Sequence, residues 1–267
     1  MVDELAEVRD RVLENASLRA DDVVLDVGAG DGLIAFGALQ RLGGGGRVVF
    51  ADISADLLEH CRSLAEEFGV IGRCRFVLAS ADDLQAITDD SVDVVTTRSV
   101  LIYLERDGKR RAFEEFRRVL RAGGRLSIFE PINSFGYPYP EGMFCGYDLS
   151  AIPDLVAKVL AASSPAEERT LIDFDERDLL DWAEGAGFDS IRLAYEAEIQ
   201  AGSWLEGPWE VVLRTSGNPL APTLGEALEQ ALTPAEQAEF EAHLRPLVEA
   251  DAGRARRANA FLSATKP

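Results

Sequence analysis

The sequence is poor in the residues that metal sites and disulfide frameworks require. Its 267 residues include only three cysteines and two histidines, and Cys61, Cys74 and Cys145 form no CxxC pair. We therefore expect no bound metal and no disulfide framework. Such an odd and sparse set of cysteines also favours a location in the reducing cytoplasm.

Positive charge and long apolar runs are scarce as well. The chain has 27 Lys and Arg against 47 Asp and Glu, which gives a formal net charge of −20. Nucleic acids and anionic membranes both attract basic proteins, so we expect neither as a partner. No stretch approaches the roughly 18 apolar residues of a membrane span, and the acidic N-terminus is not typical of a signal peptide.

What the sequence does contain is an alternation of short apolar strands and helices. This pattern predicts an α/β fold, namely a Rossmann-like, doubly wound and mainly parallel sheet with helices on both faces. A final antiparallel strand is expected at the edge of that sheet. The predicted strands lie at 23–27, 48–52, 75–78, 92–97, 126–129, 191–199 and 258–264.

Two segments interrupt the alternation. Residues 131–170 and 200–253 are rich in proline, glycine and aromatic residues, or turn helical without adding strands. We expect them to be helical and loop insertions that cap the active site of a single domain spanning 1–267. Pro246 is expected to end or kink the helix that contains it. Capping boxes predict where two helices of the second segment begin, at Thr223 with Glu226 and at Thr233 with Glu236.

The strongest functional signal is a glycine-rich turn between the first strand and the next helix, Asp26-Val27-Gly28-Ala29-Gly30-Asp31-Gly32. Glycines let the backbone turn tightly and let a ligand approach it closely. Asp52 ends the following strand, 20 residues beyond Gly32. A carboxylate at that distance can accept hydrogen bonds from both hydroxyls of a ribose. The pattern therefore predicts an adenosine-containing ligand.

The details of the turn favour a cationic ligand over a dinucleotide. Leu33 stands where the dinucleotide fingerprint that starts at Gly28 requires glycine or alanine. Asp26 and Asp31 would repel a pyrophosphate, whereas they would attract the sulfonium and ammonium groups of S-adenosylmethionine (SAM). A nicotinamide-dependent oxidoreductase is the alternative interpretation.

The chain contains four longer motifs, Val24–Gly32, Phe50–Ser54, Asp93–Leu101 and Arg118–Leu126. They resemble the motifs of the class I SAM-dependent methyltransferases, in the order found in that family. They are similar in particular to the small-molecule branch that includes ubiquinone/menaquinone-biosynthesis enzymes. The resemblance implies methyl transfer from SAM to an O, N or C atom of a small molecule, with S-adenosylhomocysteine as the product. A SAM-binding protein without activity is a further alternative.

The resemblance also implies how this chain holds the cofactor. Gly28 and Gly30 would face the methionine part of SAM, and Asp26 would help to hold its ammonium group. Asp52 would hold the ribose, and Ile53 would cover one face of the adenine.

The residue that contacts the edge of the adenine is not identified by a single match. Residues after the third strand make this contact in the family, and the candidates here are Ser80, Ala81 and Asp82. Ser80 stands where the family has an acidic residue, so either Ser80 or Asp82 takes that role. Arg98 ends the fourth strand, where the resemblance implies a contact with the methionine moiety.

Aromatic residues in the two irregular segments are the candidates for an acceptor site. They follow neither the helical nor the strand period that a core stripe would show. The structural alternative is that they only fill the space between cap and sheet. The candidates are Tyr137, Tyr139, Phe144, Trp204 and Trp209.

Two further residues are predicted to take part in catalysis. Tyr103 follows the fourth strand and Glu130 ends the fifth, so both are expected at the carboxyl edge of the sheet, where ligands of such folds bind. Glu130 is predicted to hydrogen-bond the acceptor or to act as its base. A base is optional, because the leaving group of SAM is already activated.

Overall fold

The computed structural model describes residues 2–163, 170–217 and 221–267. The chain divides into two compact units, each assembled from separate stretches of sequence. The first unit consists of Met1–Pro131, Phe174–Glu196 and Asn259–Pro267, and the second of Ile132–Asp173 and Ala197–Ala258. No helix within these described ranges is both long and apolar enough to cross a membrane.

The first unit is built around a seven-stranded sheet with the order β3-β2-β1-β4-β5-β9-β8. The end of β8 and the start of β9 belong to stretches of the second unit. Strands β1 to β5 pair in parallel, and β9 runs antiparallel to β5. This arrangement confirms the predicted fold class. The strands are β1 (Val23–Val27), β2 (Arg47–Asp52), β3 (Cys74–Leu78), β4 (Val92–Arg98), β5 (Leu120–Pro131), β8 (Asp189–Ala201) and β9 (Arg254–Thr265).

Among the residues that the structure describes, five α-helices belong to the first unit. Apolar side chains of the first three pack with the sheet into one buried cluster, which includes Leu13, Ile34, Phe50 and Leu58. The helices are α1 (Val2–Asn15), α2 (Leu33–Arg41), α3 (Ala55–Glu67), α4 (Arg106–Val119) and α6 (Glu176–Gly185).

The position of the last strand differs from the prediction. We expected it at the edge of the sheet, but β9 lies between β5 and β8. The burial of the two strands explains the difference. Ala260, Phe261 and Leu262 in β9 are all buried, as is typical of a strand covered on both faces. Most residues of β8 are exposed, so β8 takes the edge instead.

The second unit is mainly helical, with one short hairpin. Its core joins residues of the hairpin to the helices, and Tyr147, Val159, Leu228 and Phe240 are among them. The elements are β6 (Met143–Phe144), β7 (Tyr147–Asp148), α5 (Pro153–Ser163), α7 (Trp209–Val212), α8 (Leu224–Ala231) and α9 (Pro234–Glu249). Most of this unit comes from the two segments predicted as insertions. Their role as a cap over the active site of one domain stays a prediction.

The helix starts of the second unit follow the sequence, but one helix end does not. Both predicted capping boxes are present, at Thr223 and at Thr233. Pro246 was expected to end or kink helix α9; the helix does not end there but continues to Glu249, and the kink stays a prediction. Proline removes one backbone donor from the helix, while the buried side chains of Leu244 and Val248 on either side anchor α9 to the core.

Candidate active site

The glycine-rich turn after β1 has a backbone that only glycine adopts easily. Gly28, Gly30 and Gly32 have φ angles of +67°, +55° and +84°, in the left-handed region that other residues avoid. The N–H of Gly28 donates to the carbonyl of Ala51 in β2 (2.8 Å). A Cβ atom added to Gly28 would lie 2.2 Å from Cγ2 of Val100. The segment that follows β4 therefore packs closely against the turn at Gly28.

Asp52 fastens this turn to the neighbouring helix. Its carboxylate is buried at the end of β2. Oδ2 accepts a hydrogen bond from the N–H of Gly30, and Oδ1 accepts one from the N–H of Ser54, each at 2.9 Å. A carboxylate has about four acceptor positions, so two remain for the hydroxyls of a ribose.

Asp26 is the second carboxylate of the turn, and it is almost wholly buried. Oδ1 accepts from the hydroxyl of Thr96 (2.8 Å) and Oδ2 from the N–H of Ala35 (3.1 Å). Burial raises the pKa of Asp26 to about 7, although these two bonds and the charge of Arg98 at the end of β4 act to lower it. A cation beside Asp26 would restore its negative charge, so the site suits the ammonium group of SAM.

Two apolar side chains stand exposed beside Asp52. Ile53, which follows β2, is 76% exposed, and Leu78 at the end of β3 is 61% exposed. Asp52 and Leu78 are direct neighbours in the sheet. Covering these side chains with a flat aromatic ring would remove apolar surface from water. The adenine of SAM has the shape and polarity to do so.

The segment after β3 holds the candidates for the adenine edge. The hydroxyl of Ser80 donates to Asp82, which also accepts from Arg111 on α4 (2.9 Å). Burial acts to raise the pKa of Asp82, but the bonds from Ser80 and Arg111 outweigh it, so the pKa lies below its usual value. Ala81 between them is buried. Ser80 and Asp82 thus form one linked pair, and which of them meets adenine stays a prediction.

The two predicted catalytic residues have opposite environments. Tyr103 is 59% exposed, whereas Glu130 is fully buried. The carboxylate of Glu130 accepts from the N–H groups of Val100 (2.8 Å), Leu101 (3.0 Å) and Ile102 (3.4 Å). Burial raises the pKa of Glu130 to about 7 despite these bonds. Its contact with an acceptor stays a prediction.

Four of the five predicted acceptor residues lie together within the second unit. Tyr137, Tyr139, Phe144 and Trp204 line a small, mainly apolar cavity of about 70 Å³. The hydroxyl of Tyr139 donates to that of Tyr137 (2.8 Å). Trp209 lies in the hydrophobic core of this unit instead.

One contact with the glycine-rich turn was missed by the sequence analysis. Cys61 lies on α3, and its thiol donates to the carbonyl of Gly30 (3.3 Å). Burial raises the pKa of this thiol to about 11, so it stays protonated and able to donate. Its helical spacing from other apolar residues indicates only packing, and no sequence signal would have revealed the contact.

Comparisons with known proteins agree with this geometry. A family model described as a methyltransferase domain matches residues 24–124, which contain the turn, Asp52 and strand β4. A ubiquinone/menaquinone biosynthesis C-methyltransferase from Escherichia fergusonii is 30% identical over 185 residues, covering 67% of this chain and 71% of that protein. The chain belongs to the class I SAM-dependent methyltransferases. Membership confirms the predicted family, fold and cofactor, and it argues against the nicotinamide-dependent alternative.

Solved structures agree with this methyltransferase in fold. The YcgJ protein from Bacillus subtilis has a TM-score of 0.58 and 16% identity, with 97% of each chain covered. A geranyl diphosphate C-methyltransferase from Streptomyces coelicolor has a TM-score of 0.55 and 17% identity, with 98% of this chain and 76% of that chain covered. At these identities the similarity concerns the fold alone.

Proposed function

We propose that this methyltransferase transfers the methyl group of SAM to a small acceptor whose body is mainly apolar. The observation that carries the proposal is the aromatic cavity of the second unit. Among the described residues that line it, none has a charged side chain. A cavity of this lining favours a neutral, apolar group and disfavours an ionic one, which would lose its hydration without gaining a partner. Its volume of about 70 Å³ suits one small apolar part of the acceptor rather than the whole molecule.

The residues of the first unit would hold the cofactor. Gly28 and Gly30 would face its methionine part, Asp26 its ammonium group, Asp52 its ribose and Ile53 its adenine. Bound SAM supplies a methyl group on a positively charged sulfur, which leaves as a neutral thioether when the acceptor atom attacks in line. The protein then needs mainly to orient the two reactants and to exclude water.

The names of the relatives support a carbon atom as the nucleophile. Two relatives, from Klebsiella pneumoniae and Escherichia fergusonii, are called ubiquinone/menaquinone biosynthesis C-methyltransferases. An apolar acceptor with a reactive ring carbon would fit both those names and the lining of the cavity. Oxygen and nitrogen nucleophiles are outcomes of the test below.

We further propose a cytoplasmic enzyme with no nucleic-acid partner. The net charge of −20 supports the lack of a nucleic-acid partner. The cysteines support the cytoplasmic location, since Cys61, Cys74 and Cys145 are all free thiols.

The proposal is tested by methyl transfer from labelled SAM to panels of neutral apolar and of charged acceptors. We expect label in the neutral apolar compounds, and Trp204→Ala should raise the KM for the acceptor about tenfold while SAM affinity stays unchanged. Tyr195→Ala is the matched control, because Tyr195 is equally exposed, at 37% against 38% for Trp204, but lies on β8 in the first unit. Transfer to charged compounds only would refute the proposed acceptor class. SAM binding without transfer to any compound would support the inactive alternative.

The ribose assignment has its own test. Asp52→Ala should weaken SAM binding about 100-fold in calorimetry, because it removes both the ribose partner and the bond to Gly30. Asp31→Ala is the control, since Asp31 is an exposed carboxylate in the same turn. Equal losses in the two variants would show that only the charge of the turn matters.

A further inference from the structure

Two buried charged residues, Glu130 and Lys109, hydrogen-bond to the backbone of the segment that follows β4. This segment, residues 100–104, contains a short 3-10 helix at Leu101–Tyr103. At its beginning, the carboxylate of Glu130 accepts from three successive backbone N–H groups. Charged acceptors form stronger hydrogen bonds with N–H groups than neutral ones do. Glu130 therefore fixes the start of the segment.

The other end of the segment is held by Lys109. This side chain is fully buried on α4, and its ammonium group donates to the carbonyl of Leu104. The ammonium also lies 5.1 Å above the centre of the Phe174 ring, in a favourable cation–π position. Its positive charge acts on Glu130 as well, favouring the ionised carboxylate.

The segment between these two anchors reaches the cofactor site directly. Its first residue, Val100, packs so closely on Gly28 that one added carbon atom there would overlap it. A shift of the segment by a few tenths of an ångström would therefore change the space above the glycine-rich turn. Val100 and the turn belong to the same unit.

We propose that Glu130 and Lys109 are positioning residues of the SAM site, which hold residues 100–104 against the glycine-rich turn. The inference rests on the proposed cofactor site, and it replaces the predicted acceptor contact of Glu130 with an indirect role. Two buried charges are a costly way to stabilise a fold, since apolar side chains of similar size often do so as well or better. Charged side chains can, however, hydrogen-bond to backbone N–H and carbonyl groups and so fix them at the wall of a binding site. Apolar side chains could not do this.

The test separates affinity for SAM from the rate of transfer. Glu130→Gln leaves one oxygen acceptor and places a donor where the second oxygen was, so the segment should loosen. We expect about a tenfold rise in the Kd of SAM and of S-adenosylhomocysteine, with a much smaller change in kcat at saturating SAM. Lys109→Met should act in the same direction, and Lys109→Arg, which keeps a cationic donor, should restore most of the affinity.

Asp93→Asn is the matched control. Asp93 also accepts a backbone N–H, that of Val23 (2.8 Å), but at the amino ends of β1 and β4, away from the turn. This variant should leave the Kd of SAM unchanged. Binding of SAM to the wild type tests the cofactor site itself, and its absence would show that the proposed cofactor site is wrong. The positioning role is tested by comparing the variants with a wild type that binds SAM normally.

Two results would overturn the positioning role. A Glu130→Gln enzyme with unchanged SAM affinity and a reduced kcat would instead place Glu130 in contact with the acceptor. Should that variant not fold, hydrogen exchange on the wild type decides. The amides of Val100, Leu101 and Ile102 should exchange slowly and should slow further when S-adenosylhomocysteine binds. Fast exchange at these three amides would also overturn the role.

Discussion

Asp52 and Asp26 both place a carboxylate at the glycine-rich turn, but the surroundings of the two side chains differ. Asp52 bonds to backbone N–H groups at the end of β2, and Asp26 lies deeper, between Thr96 and Ala35. The deep position makes ionisation of Asp26 costly, which is why its pKa rises to about 7. Binding of a cation should therefore depend on pH through Asp26.

We predict that SAM binds more tightly as the pH rises from 6 to 8. Asp26 is mostly protonated at pH 6 and mostly ionised at pH 8, and only the ionised form attracts the ammonium group. The gain should approach tenfold in calorimetry, with protons released on binding near pH 7. The α-amino group of SAM itself loses a proton near pH 8, so Asp26→Asn serves as the control for that loss. Identical pH profiles for both proteins would contradict the assignment of Asp26.

Sequence patterns predicted which residue types gather at the site but not what each of them contacts. The spacing of Asp52 from the turn is a local property, so it could be recognised without a structure. The bonds of Glu130 depend on how β5 lies beside the segment after β4, and those of Lys109 on the packing of α4. Trp209 shows the same limit, because nothing in its local sequence distinguishes a core tryptophan from one that lines a cavity.

Among the elements, the turn after β1 and the segment after β4 depend on each other. Strands β1 to β4 were predicted closely, since they differ by at most one residue at either end, whereas β5 begins at Leu120, six residues before its predicted start. The apolar runs of β1 and β2 end at Gly28 and Asp52, which makes these two ends visible in the sequence. The place of β9 was not predictable in this way, because the order of strands depends on burial across the whole sheet.

We predict that Gly28→Ala abolishes measurable SAM binding and that Val100→Ala partly restores it. The new Cβ atom would overlap Val100, and removing that side chain frees the space. Recovery should stay incomplete, because alanine at a φ of +67° still costs about 1–2 kcal/mol. Binding and thermal unfolding of both single variants and the double variant provide the measurement. Simple additivity of the two effects would contradict this contact.

At the scale of the whole molecule, the excess of negative charge should attract the cofactor. The net charge is −20, and SAM carries two positive groups and one negative group. S-adenosylhomocysteine lacks the sulfonium and is neutral overall. Since salt screens such long-range attraction, the two ligands should respond to it differently.

We predict that the association rate of SAM falls several-fold as the ionic strength rises from about 0.01 M to about 0.5 M. The rate for S-adenosylhomocysteine should change little, which makes this ligand the internal control. Stopped-flow measurements over the range of salt would check both. Parallel curves for the two ligands would mean that the charge of the protein does not steer the cofactor.

The exposed edge strand β8 has a practical consequence for handling the protein. Edge strands can pair with those of other molecules and so promote aggregation, and like charges on the edge prevent this. Asp189 and Glu198 supply such charges along β8, whereas Glu196 is paired with Arg11 of α1. Salt screens such surface charges, so buffers of low ionic strength are the better choice for purification, storage and crystallisation.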